Sequence, residues 1–292
     1  MAHDAAEGVV LRAGDVRLTV DPRQGGRMAS LRIGETEVLV TEGWGPIRWG
    51  CYPMAPFAGR IRDGRFTFRG REVQLPLNLP PDAIHGTVFE RAWEVTSQAD
   101  DYLILTIDLG PAWPFRGTVT QSIRLAPGGL DATLRLESDE ATPAVLGWHP
   151  WFRRYLDDGT GRPGTRSAEV ELVVDAASMY ERGADGLPTG ALVSPRPRPW
   201  DDAFTGLRAS PIVRWRGALQ ITLSSTADVW VVYDEPVEGV CVEPQSAPPD
   251  AVNLAAAAGL EPDIADRGLP ATISMAWHWD DQGPTPLRGL PG

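Results

Sequence analysis

The chain has 292 residues with a formal charge of −12 at neutral pH; 42% are hydrophobic, and glycine (31), proline (27) and tryptophan (11) are frequent. That length allows one large all-β unit or two ordinary domains, and the acidic balance argues against nucleic acid and anionic membrane as partners, because phosphate binding relies on positive surface. All 27 basic residues are arginine, which excludes Schiff-base chemistry on lysine and a phosphate loop built around one.

No apolar run approaches the length of a bilayer span, and residues 1–7 carry two acids and no apolar segment. A soluble, cytoplasmic protein is expected. Cys51 and Cys241 sit among apolar and aromatic neighbours in no metal-ligand spacing, so buried, reduced cysteines are expected.

From residue 9 to 40, Val16, Leu18 and Val20, then Leu31 and Ile33, then Val38 and Val40 alternate with polar residues, which predicts short strands and hairpins. Residues 43–56 hold Trp44, Trp49 and Tyr52 among prolines and glycines and read as a folded loop. Its aromatics either plug the core or stack on a sugar ring. Phe66 and Phe68 point one way and Arg65, Thr67 and Arg69 the other, predicting a hairpin that turns at Arg69-Gly70. An irregular stretch over 76–86 closes on His85-Gly86, where glycine lets the backbone pass close to whatever the imidazole faces. A lone loop histidine is more often structural or solvated.

Between residues 93 and 136 the alternation is clearest: Leu103 to Leu109, Val119 to Leu125, and Leu130 to Leu136 after the turn Pro127-Gly128-Gly129. This predicts an antiparallel meander. Residues 145–152 set His149 in an aromatic run ahead of Pro150, where a core histidine with one hydrogen-bond partner is the plain alternative. A loop is predicted over 159–164, a strand over 170–174, and a proline-rich connection over 195–199. That connection leads into Trp200-Asp201-Asp202-Ala203-Phe204, whose aspartates cap a turn or bind hydroxyls. Strands over 221–223 and 229–232 precede the apolar run Gly239-Val240-Cys241-Val242, which ends in Glu243. The prolines that follow are expected to stop this strand and hold the carboxylate rigidly, as a general base requires. Most glutamates at strand ends are nonetheless solvated or paired. A short helix over 250–260 and a final strand over 272–279, with His278 between tryptophans, complete the chain. Strands at intervals of roughly ten residues, without an internal repeat, predict an antiparallel sandwich or barrel as one domain over residues 1–292.

Two imidazoles beside irregular loops, a held glutamate, an aspartate pair, an arginine in Gly59-Arg60 and several tryptophans suit a neutral polyhydroxylated ligand. Carboxylates and arginine bond hydroxyls while aromatic faces cover the C–H side of a sugar.

In chain order, Pro56-Phe57-Ala58-Gly59-Arg60-Ile61 with Gly64-Arg65-Phe66, Leu77-Asn78, His85-Gly86, His149-Pro150-Trp151-Phe152, Asp201-Asp202-Ala203-Phe204 and Glu243-Pro244-Gln245 resemble the aldose 1-epimerase family, of the galactose mutarotase type. The resemblance covers nearly the whole chain and implies an all-β fold, a large antiparallel β-sandwich with few short helices. It further implies that Glu243 is the general base, His149 the general acid and His85 an assisting hydrogen-bond partner near the ring oxygen, while Arg60 and Asp201 hold hydroxyls of a small sugar. A proton leaves the anomeric O1 hydroxyl, another reaches O5, the hemiacetal opens, and closure after rotation about C1–C2 gives the other anomer. No metal, cofactor or covalent intermediate is implied.

Two departures bear on the substrate. The family commonly has Asn-Arg where this chain has Gly59-Arg60, and His-x-Tyr-Phe-Asn where it has His149-Pro150-Trp151-Phe152-Arg153, so galactose is not assumed. The same resemblance favours Asp201 over Asp202 as the ligand contact. Alternatives are a hexose 6-phosphate epimerase, with Arg60, Arg62, Arg91 and Arg153 as phosphate candidates, a non-catalytic sugar-binding domain, and a metal site of His85, His149 and Glu243. The last lacks closely spaced ligands.

Overall fold

The computed structural model describes residues 8–43, 45–156 and 168–281; Trp44 and the loop predicted over 159–164 lie outside the described residues. Period-two alternation leaves each strand with one apolar face to bury, and the chain does so by pairing into two large antiparallel sheets. The first runs, in spatial order, Val9–Ala13, Val16–Asp21, Arg27–Ile33, Cys51–Met54, Gly147–Arg153, Gly239–Gln245, Val229–Tyr233, Asp201–Leu207, Ala176–Arg182 and Pro188–Val193. In the second the order is Glu94–Gln98, Tyr102–Asp108, Thr118–Ala126, Gly129–Glu137, Ala271–Asp281, Leu219–Ser225, Ile212–Trp215 and Glu171–Val173. This is the antiparallel β-sandwich expected from the strand spacing.

Leu11, Leu18, Leu31, Trp148, Val240 and Val242 from the first sheet share one buried cluster with Leu103, Val119, Leu134, Ile273 and Trp277 from the second. Burying a large aliphatic or aromatic side chain contributes about 1.5–3 kcal/mol, so this layer dominates stability. Gln121, wholly buried in it, accepts from Trp148 Nε1 at 3.0 Å and donates to the Gly26 carbonyl at 2.7 Å. The polar side chain thus ties the sheets without an unsatisfied amide.

Arg65–Phe68 and Arg71–Gln74 form the predicted hairpin about Arg69-Gly70, both with positive φ, and Phe66 and Phe68 are buried. The α-helix Ala251–Ala257 falls inside the patch predicted for it. Among the described residues no helix is long and apolar enough to cross a membrane. Cys51 and Cys241 are buried and free.

Three segments differ from expectation. Residues 51–54 form an interior strand despite Pro53, because Arg27–Ile33 pairs with it only at Met28↔Cys51 and leaves that side without a ladder for proline to break. The strand bearing Glu243 is not stopped by Pro244 but runs on to Gln245. Its pairing with Gly147–Arg153 is made at Gly147↔Gln245 and resumes at Trp151↔Cys241, so neither Pro150 nor Pro244 is asked for a ladder bond there. Third, Ala176–Arg182 and Pro188–Val193 make an edge hairpin that the sequence pattern does not announce.

Candidate active site

Side chains one position on from the sandwich core point to the opposite face of the first sheet. There Tyr52, His149, Trp151, Glu243 and Gln245 cluster, and a cavity of about 330 Å³ opens over them, lined also by His85, Arg60 and Asp201. The five residues singled out in the sequence are therefore brought together around one cavity.

Register places His149 across from Glu243, in the gap where the two strands make no ladder pair. His149 Nε2 lies 3.3 Å from Glu243 Oε1, and Gln245 Nε2 donates to Glu243 Oε2 at 3.0 Å. The His149 ring stacks on Tyr52 at 4.9 Å and on Trp151 at 5.5 Å, and the His85 ring meets it edge-on at 4.9 Å. Both stacking partners hang on one carbonyl, since Tyr52 Oη and Trp151 Nε1 donate to Ile47 O at 3.1 and 2.7 Å.

His85 has a left-handed backbone, φ 61°, and its N–H donates to Gly59 O at 2.8 Å. Such a conformation costs a non-glycine residue about 1–2 kcal/mol and is kept where the surroundings impose it. Asn78 imposes it from one side, its amide exchanging bonds of 3.0 and 2.8 Å with the Ile84 backbone. Gly86 imposes it from the other: at φ 83°, a Cβ there would stand 2.0 Å from Ala55 O.

Arg60 Nη1 lies 3.4 Å from Asp82 Oδ2. Asp250 braces the same loop, donating its N–H to Arg60 O at 2.7 Å and accepting from Arg62 N–H at 3.1 Å. The family's asparagine before this arginine has no room here, for a Cβ on Gly59 would lie 2.7 Å from Pro249 Cγ. Of the two aspartates, Asp201 has a side chain 46% exposed, whereas Asp202 is fully covered, bonded to Arg196 and to the Asp201 N–H.

Burial, reinforced by Asp201 and opposed by the Gln245 bond, holds the Glu243 carboxyl well above the usual range. Burial first, then the charge of Arg27, pushes His149 down to about 3, and burial, then His149 and Arg60, hold His85 well below the ordinary imidazole value. Both shifts favour a protonated Glu243 beside a neutral His149 over the ionised pair. The ionised pair, carboxylate and imidazolium, contains the same number of protons and is reached by shifting one across the 3.3 Å contact. His85 Nδ1, His149 Nδ1 and Gln245 Oε1 are buried without a protein partner, as befits a site that completes its hydrogen bonds on a polar ligand.

Ligand atoms of His149, Cys241 and Glu243 lie within 4.8 Å of one another, a group that does not include His85. Burial holds the Cys241 thiol well above its ordinary value. The arginines proposed for a phosphate do not converge. Arg62 pairs with Asp185 and Asp250, Arg91 with Asp108, and Arg153 donates to Leu39 O; Arg60 alone of the four lines the cavity.

Gln245, Trp151, Tyr180, Arg182 and Pro249 also line the site and were given no role from the sequence, whereas Tyr52, read there as a core plug or a sugar-stacking ring, stacks on His149. Gln245 was within reach of sequence reasoning, lying one strand period from Glu243. Tyr180 and Arg182 had no comparable signal.

The profile of the aldose 1-epimerase family matches residues 9–259. The chain is 35% identical over 126 residues to the uncharacterized protein YphB of Escherichia coli, spanning 42% of this chain and 41% of that protein. With the galactose mutarotase of Mus musculus it is 29% identical over 140 residues, 46% of this chain and 40% of the relative. The aligned stretches thus span less than half the length of these two relatives. The uncharacterized protein YihR of E. coli is 25% identical over 307 residues, covering 92% of each. Among solved structures, a galactose mutarotase-like protein from Clostridium acetobutylicum superposes with a TM-score of 0.81 at 15% identity, covering 96% of this chain and 97% of that one. Galactose 1-epimerase from Lactobacillus acidophilus gives 0.73 at 15% identity and 93% of each. At such identities the likeness establishes the fold, a galactose mutarotase-like sandwich.

Proposed function

The chain belongs to the aldose 1-epimerase family, and we propose that it interconverts the α and β anomers of a free hexose by acid–base opening and closure of the hemiacetal ring. The observation that carries this reading is the buried Glu243–His149 pair, 3.3 Å apart, at the floor of a cavity whose polar atoms await a partner.

In its ionised form the pair supplies both halves of the reaction. The Glu243 carboxylate takes the proton of the O1 hydroxyl as the C1–O5 bond breaks, and the His149 imidazolium delivers a proton to O5. Rotation about C1–C2 turns the other face of the aldehyde toward O5, and closure reverses both transfers. The pair ends with the proton count it began with, so the cycle is closed without a further group. Gln245 favours the carboxylate form by donating to it. His85, edge-on to His149, offers a hydrogen bond beside the ring oxygen, while Arg60 and Asp201 engage hydroxyls.

The test is polarimetry of freshly dissolved α-glucose and α-galactose, alongside hexose 6-phosphates, in weak buffer so that the uncatalysed rate stays low. Acceleration of at least one free aldose is expected. Acceleration confined to the phosphorylated sugars, or none at all, would overturn the free-hexose reading.

A further inference from the structure

We propose that Arg182 is a specificity-determining residue that works with Asp201 as one donor–acceptor pair, gripping a single hydroxyl of the sugar. The proposal deepens the reading of the cavity as an aldose site and rests on it.

Strand register brings the two residues together. Ala176↔Leu207, Ser178↔Thr205 and Met179↔Phe204 are paired, and the same register continued to the end of the strand sets Arg182 across from Asp201. Met179 packs inward with Phe204 and Val232, whereas Tyr180 and Arg182 line the cavity, joined by Gly186, Leu187 and Pro188 of the same hairpin. This edge hairpin therefore forms one wall of the site.

Arg182 Nη1 donates to the Asp201 carbonyl at 2.9 Å and lies 3.3 Å from its Oδ2, while Nε stands 3.8 Å from the buried Asp202 Oδ1. The guanidinium is anchored from below and beside, and among the described residues Nη2 carries no hydrogen bond to the protein. Asp201 keeps a side chain 46% exposed and Arg182 one 31% exposed, so both present unspent capacity to the cavity. Burial raises the Asp201 carboxyl, and the charges of Arg182 and Arg60 oppose that rise.

A sugar hydroxyl donates one hydrogen bond and accepts others. A carboxylate beside a guanidinium satisfies both functions of one hydroxyl. A sugar that lacks that hydroxyl, or carries it on the other face, leaves both groups unpaired, and sites of this kind discriminate strongly.

The experiment compares native protein with Arg182→Ala and Arg182→Gln on glucose, galactose, xylose and 6-deoxygalactose, following anomer exchange and, separately, binding by saturation-transfer NMR. On the preferred sugar KM is expected to rise about tenfold or more while kcat falls less than about threefold, and the preference over its epimer or deoxy analogue to shrink in proportion. Adding Arg182→Ala to Asp201→Asn should cost little beyond Asp201→Asn alone. Unchanged KM and preference in the folded variants, a kcat loss as large as the loss in kcat/KM, or fully independent effects of the two residues would overturn the proposal. If native protein binds an aldose without interconverting it and Arg182→Ala weakens that binding, the epimerase reading fails and the role of Arg182 stands. If it neither binds nor converts any of the four, both fail.

Discussion

Replacing Gln245 with leucine removes the N–H that reaches Glu243 Oε2 at 3.0 Å and leaves a side chain of similar bulk in a fully buried position. Hydrogen bonds to charged groups contribute about 1.5–3 kcal/mol. Because burial favours the neutral form of the Glu243–His149 pair, the reactive ionised form is the minor one. Weakening its carboxylate by that amount lowers its population, and with it kcat, by roughly tenfold to a hundredfold. Between the two titrations of the coupled Glu243–His149 pair its proton count is constant, so the loss should be the same at every pH in that window. The assay is the initial rate of anomer exchange on the preferred sugar from about pH 5 to about pH 8, with calorimetry on the same samples to show that the fold is intact. A rate within about twofold of native, or a loss that vanishes as pH rises, would refute the shared-proton reasoning.

Glu243→Gln should raise the melting temperature at neutral and alkaline pH. With the folded-state value held well above the ordinary 4.5, the unfolded chain releases this proton first as pH rises, so native stability falls relative to the variant above about 4.5, and the two curves should merge below it. A gap that does not grow with pH counts against a buried, protonated Glu243. His85→Asn is expected to keep the left-handed backbone and lose activity, whereas His85→Val should cost about 1–2 kcal/mol more in chemical denaturation; equal stability of the two would contradict an imposed φ of 61°. Gly59→Ala sets a Cβ 2.7 Å from Pro249 Cγ at φ 65° and should destabilise by about 1–3 kcal/mol while raising KM through displacement of Arg60. An unchanged KM would separate that loop from substrate binding.

The meander and the core were legible because their alternation is uninterrupted and buried on one side: Leu103, Leu105, Val119, Leu134 and Leu136 are all inaccessible. His85, His149, Glu243, Arg60 and Asp201 could be named from motif order, although only strand register explains why residues so far apart in sequence share one cavity. What was hidden depended on pairing. Tyr52 lies in a segment dense with proline and glycine that reads as a loop until its neighbours are known. Pro244 looks like a strand terminator because local propensity does not reveal that the ladder is interrupted there. The hairpin of Ala176–Arg182 and Pro188–Val193 is mostly exposed, with small residues such as Ala177, Ser178 and Gly190, so no hydrophobic period marks it. Its contribution to the site, Tyr180 and Arg182, comes from position alone.

The most direct measurement is two-dimensional exchange NMR on the anomeric protons of glucose and galactose at equilibrium, with native protein, Glu243→Gln and His149→Asn. Native protein is expected to give α–β cross-peaks far above the buffer background, and each variant to lose about a hundredfold or more while still binding the sugar. Undiminished exchange in Glu243→Gln would contradict the assignment of that carboxylate as the base.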